Sequence, residues 1–228
     1  MVGPMRQERL LTLFRSLSDA YGRQGWWPAE GPLEVVVGAI LTQRTSWTNA
    51  ERAILGLRNE GLLSLREMHV ASAETIARAI RPAGCYNVKA AKLKAFSHWM
   101  FAHHRGDLSL FLGLPQEDLR RELLAIYGIG PETADAIILY AAGKPSFVVD
   151  AYTRRLFERL GLLSGDESYN AVRLAFMRAL PRDVSLFSEF HALIVRHGKV
   201  HCRPTAKCEG CPLDALCPCP AEHGESPR

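Results

Sequence analysis

The residues best suited to chemistry lie near the end of the chain, where five of the six cysteines fall between Cys202 and Cys219. Four of them, Cys202, Cys208, Cys211 and Cys217, are separated by five, two and five residues. Thiolates at such short spacings hold a zinc ion or an iron–sulfur cluster, and the spacing alone favours zinc, the commoner occupant of short four-cysteine sites. Cys219 is left as a spare thiol, which would replace Cys217 as a ligand only if the last loop shifts.

Asp150 is a second candidate, because it follows the extended run KPSFVV and precedes an amphipathic helix, AYTRRLFERL. That position suits a helix N-cap, with Thr153 three residues further on. A carboxylate held at a helix N-terminus has a low pKa and stays ionised. Capping a helix and acting as a charged catalytic group are compatible roles for this residue.

A glycine-rich turn, GIG, joins two stretches of helical periodicity upstream of Asp150. Gly128 and Gly130 are expected to take the positive φ that a tight hairpin needs, and Pro131 suits the first helical position. The outward-pointing amides of the second helix then form a cluster that binds phosphate without a basic side chain. An isolated glycine pattern of this kind is weak evidence, since it often makes only a turn.

Tryptophan supplies a third group of candidates, in Trp26-Trp27-Pro28 and in LTQRTSWTN, which contains Gln43 and Trp47. Two adjacent tryptophans cannot both face inward from one helix or strand, so one is expected to line a cleft or a partner surface. The alternative is that both cover the edge of the core with one indole N–H in water.

The elements that position these residues are expected to be helices, because β-branched alternation over strand lengths is scarce in the sequence. Glycine or proline marks the loops between them, as at Trp27-Pro28 and Leu180-Pro181. The chain is therefore predicted to be all-α, with helices near residues 6–22, 33–43, 48–59, 73–80, 88–104, 116–127, 132–142, 151–160, 168–179 and 184–198.

Composition and charge narrow the class of protein. A formal net charge of +4 and a sequence pI near 8.8 permit nucleic-acid binding without requiring it. No apolar run approaches the roughly 20 residues of a membrane span, and no signal peptide is visible at MVGPMRQERL. We therefore expect a soluble, intracellular protein with no membrane partner. In that setting the clustered cysteines favour metal ligation over three disulfides.

The hairpin and Asp150 resemble the helix-hairpin-helix and Gly/Pro…Asp signature of the endonuclease III superfamily of DNA glycosylases. The resemblance runs from about residue 10 to 218. Within the superfamily, the WWP motif and the later LTQ motif resemble those of the branch that includes 3-methyladenine DNA glycosylase III. It implies a helical-barrel domain at 24–142 and an iron–sulfur domain formed by 1–23 and 143–228. It also implies a [4Fe–4S] cluster in place of zinc, although the first cysteine gap is one residue shorter than in that family.

For catalysis, the resemblance implies that Asp150 stabilises an oxocarbenium-like sugar and orients the attacking water. Glu132 stands where bifunctional members of the superfamily carry a lysine, whose amine forms a Schiff base with the sugar. A carboxylate cannot form an imine, so strand-cleaving lyase activity should be absent or incidental. Alternatively, Glu132 is only an acid at a helix N-terminus that complements the helix dipole.

For DNA binding, the resemblance implies that Trp26, Trp27 and Trp47 stack on a flipped base, with Pro28 as a wall. Gln43 would fill the gap left in the duplex, and Cys85 would be a second wedge, weakened by its small size. The other expected contacts to DNA are hairpin residues and basic side chains, namely Gly128, Gly130, Thr133, Lys89, Arg196 and Lys199. Asn87 is expected to cap the helix that carries the lysines at 89, 92 and 94, which alternatively form only a solvated face.

The substrate that best matches these residues is double-stranded DNA with a damaged base, in particular an alkylated purine such as 3-methyladenine. None of the eight histidines lies in the pocket motifs, and a cationic alkylated base needs no strong general acid to leave. Stacked indoles favour a flat cation. The alternatives are mismatched thymine or uracil, a cross-linked base, and a non-catalytic protein that binds DNA structures. The protein is expected to act as a monomer in the cytoplasm, at the nucleoid.

Overall fold

The computed structural model describes residues 5–218, and all regular secondary structure in that range is helical, which confirms the predicted all-α class. The α-helices are α1 (Gln7–Tyr21), α2 (Pro32–Leu41), α3 (Trp47–Asn59), α4 (Leu65–Val70), α5 (Ala73–Ala79), α6 (Tyr86–His104), α7 (Leu108–Gly113), α8 (Gln116–Ala125), α9 (Pro131–Ala136), α10 (Ala151–Arg159), α11 (Tyr169–Ala179) and α12 (Val184–Val200). Short 3₁₀ turns occur at Arg81–Ala83 and Asp214–Leu216, and a π-helical turn at Ile137–Ala141 follows α9. Between residues 5 and 218, the chain has no helix long and apolar enough to cross a membrane.

The helices α4 and α7 were not predicted from the sequence. Each is six residues long, so neither shows enough of the 3.6-residue period to be recognised. Both depend on their caps: Ser64 Oγ accepts from the Glu67 backbone N–H, and Asp107 Oδ1 accepts from the N–H groups of Ser109 and Leu110. In helices this short, the capping residue is the stronger sequence signal.

The chain forms two compact units, one of which is Trp27–Lys144. The core of this unit contains α2, since every residue from Val35 to Leu41 is buried. Helices α3 and α6 and the π-helical turn pack against α2. The loops at the two ends of this buried helix are the ones that carry Trp27 and Gln43.

The other unit combines the segment that ends at Trp26 with the segment that begins at Pro145. Helices α1 and α10 pack against α12, and a Cβ atom at Gly198 of α12 would lie 2.4 Å from Tyr152 Cδ1 of α10. Phenylalanine rings fill the core, and Phe147 and Phe176 stack with centroids 3.9 Å apart. Because Phe147 lies in the extended run before α10, burial of that run fixes the position at which Asp150 begins the helix.

Candidate active site

The hairpin between α8 and α9 contains one left-handed glycine, an extended glycine and a proline. Gly128 has the predicted positive φ, at +83°, and a Cβ atom there would lie 2.3 Å from Lys92 Cγ, so a side chain would also force Lys92 to move. Gly130 does not have a positive φ: at φ −88° and ψ 177° it is extended, because it is the N-cap residue of α9. Pro131 takes the first position of α9, as predicted.

Gln43 reaches this hairpin from the loop after α2. Its Nε2 donates to the Gly128 carbonyl oxygen at 3.0 Å and to Thr133 Oγ1 at 2.9 Å, and its Oε1 accepts from Lys92 Nζ. The side chain predicted to fill the duplex gap is therefore held by the protein, and insertion into DNA would require these bonds to break. Thr133 is only 7% exposed, so its side chain is not available for the predicted DNA contact.

The lysines of α6 do not form the predicted surface for DNA. Lys89 is buried, at 3% exposed, and its ammonium group donates to the carbonyl oxygens of Leu41 at 2.9 Å and Ala83 at 2.7 Å. Burial lowers the pKa of Lys89 from its ordinary value. Lys94 likewise donates to two backbone carbonyl groups. The prediction that Lys89 contacts the DNA backbone is therefore wrong, because its cation binds backbone carbonyl groups within the protein.

Cys85 precedes α6 in the left-handed region, with φ 45° and ψ 34°, and its side chain is exposed. It is the N-cap residue of this helix. Asn87, which was predicted to be the cap, instead lies within the first turn of α6, after Tyr86. The exposed position of Cys85 is compatible with a second wedge, and that role stays a prediction.

Trp27 and Trp47 meet in one group of rings with Tyr140, and we call these three residues the aromatic cluster. The Trp27 ring centroid lies 5.2 Å from each of the other two, edge-on to Trp47 and tilted to Tyr140. Gly38 of α2 makes room for the indoles, since a Cβ atom there would lie 3.2 Å from Trp27 Cζ2 and 3.4 Å from Trp47 Cζ3. All three rings are part-exposed.

Tyr140 is a candidate pocket residue that the sequence did not reveal. It lies in the π-helical turn Ile137–Ala141, where the α-helix predicted over 132–142 is interrupted. A π-helical turn changes the direction in which later side chains point, and such turns occur often at functional sites. The apolar pattern ADAIILYAA is that of an ordinary buried helix, so only the tertiary structure identifies this ring.

Trp26 is part of the other compact unit. Its carbonyl oxygen accepts a hydrogen bond from Ser188 Oγ at 3.0 Å, and Lys199 Nζ lies 6.0 Å from its ring centroid. A cation over an indole ring is an attractive contact. Lys199 and Arg196 are exposed on α12, as a DNA contact requires, and Pro28 is also exposed. The roles assigned to these four residues, Trp26, Lys199, Arg196 and Pro28, stay predictions.

Asp150 is the N-cap residue of α10, as predicted. Its Oδ1 accepts hydrogen bonds from the Thr153 backbone N–H at 2.7 Å and from Thr153 Oγ1 at 2.9 Å. Its Oδ2 lies 3.4 Å from His191 Nε2, and its side chain is 13% exposed. Burial alone would raise the pKa of Asp150, but the His191 imidazole and the two donors of Thr153 outweigh burial and hold the pKa below its ordinary value. The carboxyl group is therefore ionised at neutral pH.

His191 is a second residue that the sequence did not reveal as part of a site. Its side chain is 7% exposed, and α12 carries it to the Asp150 carboxylate because α10 and α12 pack together. In FHALIVRHG the apolar period indicates that position 191 is buried, but no local pattern indicates which residue it meets. A histidine thus lies beside the candidate catalytic group, although none falls in the pocket motifs.

Glu132 lies in the first turn of α9 and is exposed. An acid in that position complements the positive end of the helix dipole. The resemblance also implies that bifunctional enzymes carry a lysine at this position. Both interpretations of Glu132, as the replacement of that lysine and as a helix N-terminal acid, stay predictions.

The four cysteines predicted to bind metal lie at the C-terminal end of α12 and in the loop after it. Cys202 is buried, and Cys208, Cys211 and Cys217 are part-exposed. Burial raises the pKa of the Cys211 thiol, and the neighbouring Cys208 and Cys217 raise it further. Cys219 lies outside the described residues.

Nitrogen donors surround these thiols. Arg159 Nη1 donates to Cys202 Sγ at 3.3 Å, and His197 Nε2 lies 4.0 Å from Cys211 Sγ. Burial lowers the pKa of His197 to about 4, so its ring is neutral, and the Tyr21 hydroxyl lies 2.9 Å from its Nδ1. If the hydroxyl donates to Nδ1, the proton of the neutral ring is on Nε2 and directed towards Cys211.

This set of donors fits a thiolate-bound metal by chemical type. Four cysteines close together in the chain, with an arginine and a histidine near two of the sulfur atoms, match the ligand type of a four-cysteine iron–sulfur site. Within residues 5–218, however, no three His, Cys, Asp or Glu side chains are placed to hold a single metal ion. Both the ligand set, Cys202, Cys208, Cys211 and Cys217, and the metal itself therefore stay predictions.

A comparison with known families tests the resemblance directly. The model of the HhH-GPD superfamily of base excision DNA repair proteins matches residues 37–182, which include the hairpin and Asp150. The chain belongs to this superfamily. As an HhH-GPD protein, it is a DNA glycosylase of base excision repair.

Individual members of the superfamily match most of the chain. A putative DNA repair glycosylase of Methanocaldococcus jannaschii is 44% identical over 212 residues, which cover 92% of this chain and 96% of that protein. A non-covalent complex of endonuclease III with DNA has the same fold, with a TM-score of 0.80 at 21% identity over 94% of this chain and 96% of that one. The 3-methyladenine DNA glycosylase of H. pylori, bound to 1,N6-ethenoadenine, gives a TM-score of 0.74 at 25% identity over 86% of this chain and 98% of that one.

Proposed function

We propose that this HhH-GPD protein is a monofunctional DNA glycosylase that removes alkylated purines, such as 3-methyladenine, from double-stranded DNA. The observation that carries the proposal is the aromatic cluster, in which Trp27 lies 5.2 Å from both Trp47 and Tyr140 and all three rings are part-exposed. A base that enters such a site meets aromatic rings, which recognise a flat, electron-poor molecule.

The charge of the damaged base explains why aromatic rings suffice for recognition. Alkylation of a ring nitrogen makes a purine cationic and a good leaving group, whereas a normal purine is neutral. Each ring attracts a cation by roughly 0.5–2 kcal/mol, so three rings distinguish the damaged base from the normal one. Uracil or thymine would instead require directed hydrogen bonds to the base edge. The similarity to a 3-methyladenine DNA glycosylase supports the same substrate class.

Asp150 supplies the charge that hydrolysis of the N-glycosidic bond requires. As the bond to the base breaks, positive charge develops on the sugar, and a fixed anion stabilises it without reorganisation. The two bonds from Thr153 hold Oδ1 in place, and His191 beside Oδ2 acts as a positioning residue. In this assignment the ionised carboxylate stabilises the sugar cation and orients the attacking water.

The cysteine loop has a structural role in this proposal. Cys202, Cys208, Cys211 and Cys217 would hold a [4Fe–4S] cluster, which when bound supplies a rigid cross-link to a loop with little regular structure of its own. Four exposed basic residues precede or follow the first cysteine, namely Arg196, Lys199, Arg203 and Lys207. Ordering of the loop would fix their positions for contact with DNA phosphates.

The direct test of the substrate is a panel of duplexes with one lesion each, assayed for release of free base. The panel contains the cationic purines 3-methyladenine and 7-methylguanine, the neutral bases uracil and thymine opposite guanine, and undamaged DNA. We expect release of the alkylated purines and little release of uracil or thymine. Equal activity on the neutral mismatches would contradict the argument from charge. Tight binding to DNA with no base release from any duplex would instead identify a non-catalytic DNA-structure binder.

Absence of lyase chemistry is a separate prediction, which rests on Glu132. Borohydride reduces an imine between an enzyme amine and the sugar to a stable adduct, and a carboxylate forms no imine. With wild-type protein and damaged duplex we expect no trapped adduct, while an endonuclease III in the same assay is trapped. Efficient trapping of the wild type would show that another amine is the nucleophile and that the monofunctional assignment is wrong.

The aromatic cluster gives a second test of the substrate assignment. Trp27→Ala and Trp47→Ala should each lower excision of 3-methyladenine by roughly tenfold, which corresponds to about 1.4 kcal/mol, because each removes one ring from the cation site. Tyr140→Leu should have an effect in the same direction, whereas Tyr140→Phe keeps the ring and should change the rate little. Single-turnover base release measures all four.

The control for the cluster variants is Trp99→Ala. Trp99 is also part-buried, but its ring is tilted against that of His103, with centroids 4.2 Å apart, and its Nε1 donates to Glu122 at 3.3 Å. Similar loss of activity in Trp99→Ala and Trp27→Ala would attribute the effect to the stability of the fold and not to recognition of the base.

A further inference from the structure

A short turn between α2 and α3 holds Arg44 in a conformation that arginine seldom adopts. The Thr45 backbone N–H donates to the Thr42 carbonyl oxygen at 3.1 Å, and Arg44 has a φ of 55°. The left-handed region costs a non-glycine residue energy, and residues held there against that cost are concentrated at functional sites. Glycine would relieve the strain at this position, yet the chain carries a long cationic side chain.

The residues on both sides of Arg44 are fixed, which explains how the strain is maintained. Before it, Gln43 is bonded to Gly128, Thr133 and Lys92. After it, Thr45 Oγ1 accepts from Asn49 Nδ2 at 3.2 Å, and Ser46 caps α3. The turn is therefore held at one end by the hairpin and at the other by the first turn of a helix.

The side chain of Arg44 differs from those of Arg58 and Arg121 in the same unit. Arg44 is exposed, and its guanidinium group makes no hydrogen bond or ion pair with any residue between 5 and 218. By contrast, Arg58 pairs with Glu30 and Glu34, and Arg121 pairs with Asp118. Arg44 is thus a cation on a strained backbone without a protein anion to neutralise it, and Gln43 beside it is bonded to the hairpin.

We propose that Arg44 is a DNA-binding residue whose guanidinium group donates to a backbone phosphate, next to the phosphate site predicted at the hairpin amides. This inference rests on the proposed function, since it requires DNA as the ligand. A guanidinium group matches two phosphate oxygens with two parallel hydrogen bonds. Because Gln43 is bonded to both Gly128 and Thr133, the residue that follows it is held beside the hairpin, and Gln43 acts as a brace between the two phosphate contacts.

The test is binding of a duplex with a stable abasic-site analogue, measured by fluorescence anisotropy over a range of salt concentrations. Each phosphate contact contributes about 0.9 to the slope of log affinity against log salt. Arg44→Gly should therefore reduce the magnitude of this slope by about 0.9. At about 0.15 M salt, loss of one such contact should weaken binding by roughly fivefold. Arg44→Lys keeps the charge and should keep most of the slope.

The chain offers a matched control in Arg105, which is also an exposed arginine with a left-handed φ, of 56°, at the end of α6. Arg105→Gly removes the same charge and relieves the same strain, but it should leave both the affinity and the salt slope unchanged. Equal effects of the two glycine variants, or weaker binding by Arg44→Gly with an unchanged salt slope, would overturn the phosphate contact. Excision activity of the wild type would survive that result, whereas a wild type that binds no DNA would overturn the proposed function and this inference together.

Discussion

Asp150→Asn is expected to lower the rate of base excision by on the order of 10²-fold or more, while binding to damaged DNA stays close to that of the wild type. Asparagine keeps the size of the side chain and an oxygen that can accept from Thr153, so the cap of α10 is largely preserved. What it loses is the negative charge that faces the developing sugar cation. Single-turnover excision and equilibrium binding separate the two effects.

Asp183→Asn is the matched control for this variant. Asp183 is also an N-cap aspartate in the same compact unit, and its Oδ1 accepts from the Leu186 backbone N–H at 2.8 Å. Asparagine can still accept the capping hydrogen bond at both positions, so neither substitution should change the stability of its helix much. If Asp183→Asn lost as much activity as Asp150→Asn, the effect would be one of folding, and Asp150 would not be the catalytic residue.

The pKa of Asp150 adds a pH dependence to this prediction. His191 and Thr153 hold it below the ordinary value of 3.8, so the carboxylate stays charged at every pH above that value. The ionised Asp150 carboxylate stabilises the folded state fully at pH values above its pKa in the unfolded chain. This stabilisation is lost as the pH falls through the lower pKa of the folded state. Protonation of Asp150 should therefore not lower the rate of base excision at any pH above about 4. A pH–rate profile of the wild type, compared with that of Asp150→Asn, measures this.

The second large effect is expected at the cysteine loop. Protein purified without oxygen should be yellow-brown, with the broad absorption near roughly 400 nm of iron–sulfur sites bound by four cysteines. Cys202→Ser, Cys208→Ser and Cys211→Ser should each remove this absorption and lower solubility and DNA affinity, since the free energy of metal binding is part of the free energy of folding in such loops. Iron and sulfide analysis, the absorption spectrum and thermal unfolding give the measurements.

Cys85→Ser and Cys219→Ser are the controls for the cysteine variants. Cys85 is exposed before α6 in the other unit, so its replacement should leave the absorption unchanged. The same is expected of Cys219, the spare thiol. A colourless, folded wild-type protein with one zinc ion per chain would show that zinc, and not the cluster, is bound. Loss of the absorption in Cys219→Ser would show that the ligand set differs from the predicted one.

The features that could be predicted from the sequence depend on interactions within a few residues. The all-α class followed from helical periodicity, and the positions of Gly128, Pro131 and Asp150 followed from turn and cap chemistry, which acts over three or four residues. The family also followed from local motifs, because GIGPETA and the later aspartate lie close together along the chain. At this range the residue types determine the structure with little help from the rest of the protein.

Only the tertiary structure decided which distant residues meet. Lys89 reaches the Leu41 carbonyl across 48 residues and is not available to DNA, and Gln43 bonds to the hairpin across 85 residues, so its insertion into DNA would first break that bond. His191 reaches Asp150 through the packing of α10 on α12, and Tyr140 joins the tryptophans through a π-helical turn that no local pattern indicates. The physical reason is that a buried polar or aromatic side chain takes its partners from whatever element packs against it, and the packing of helices is set by the whole core.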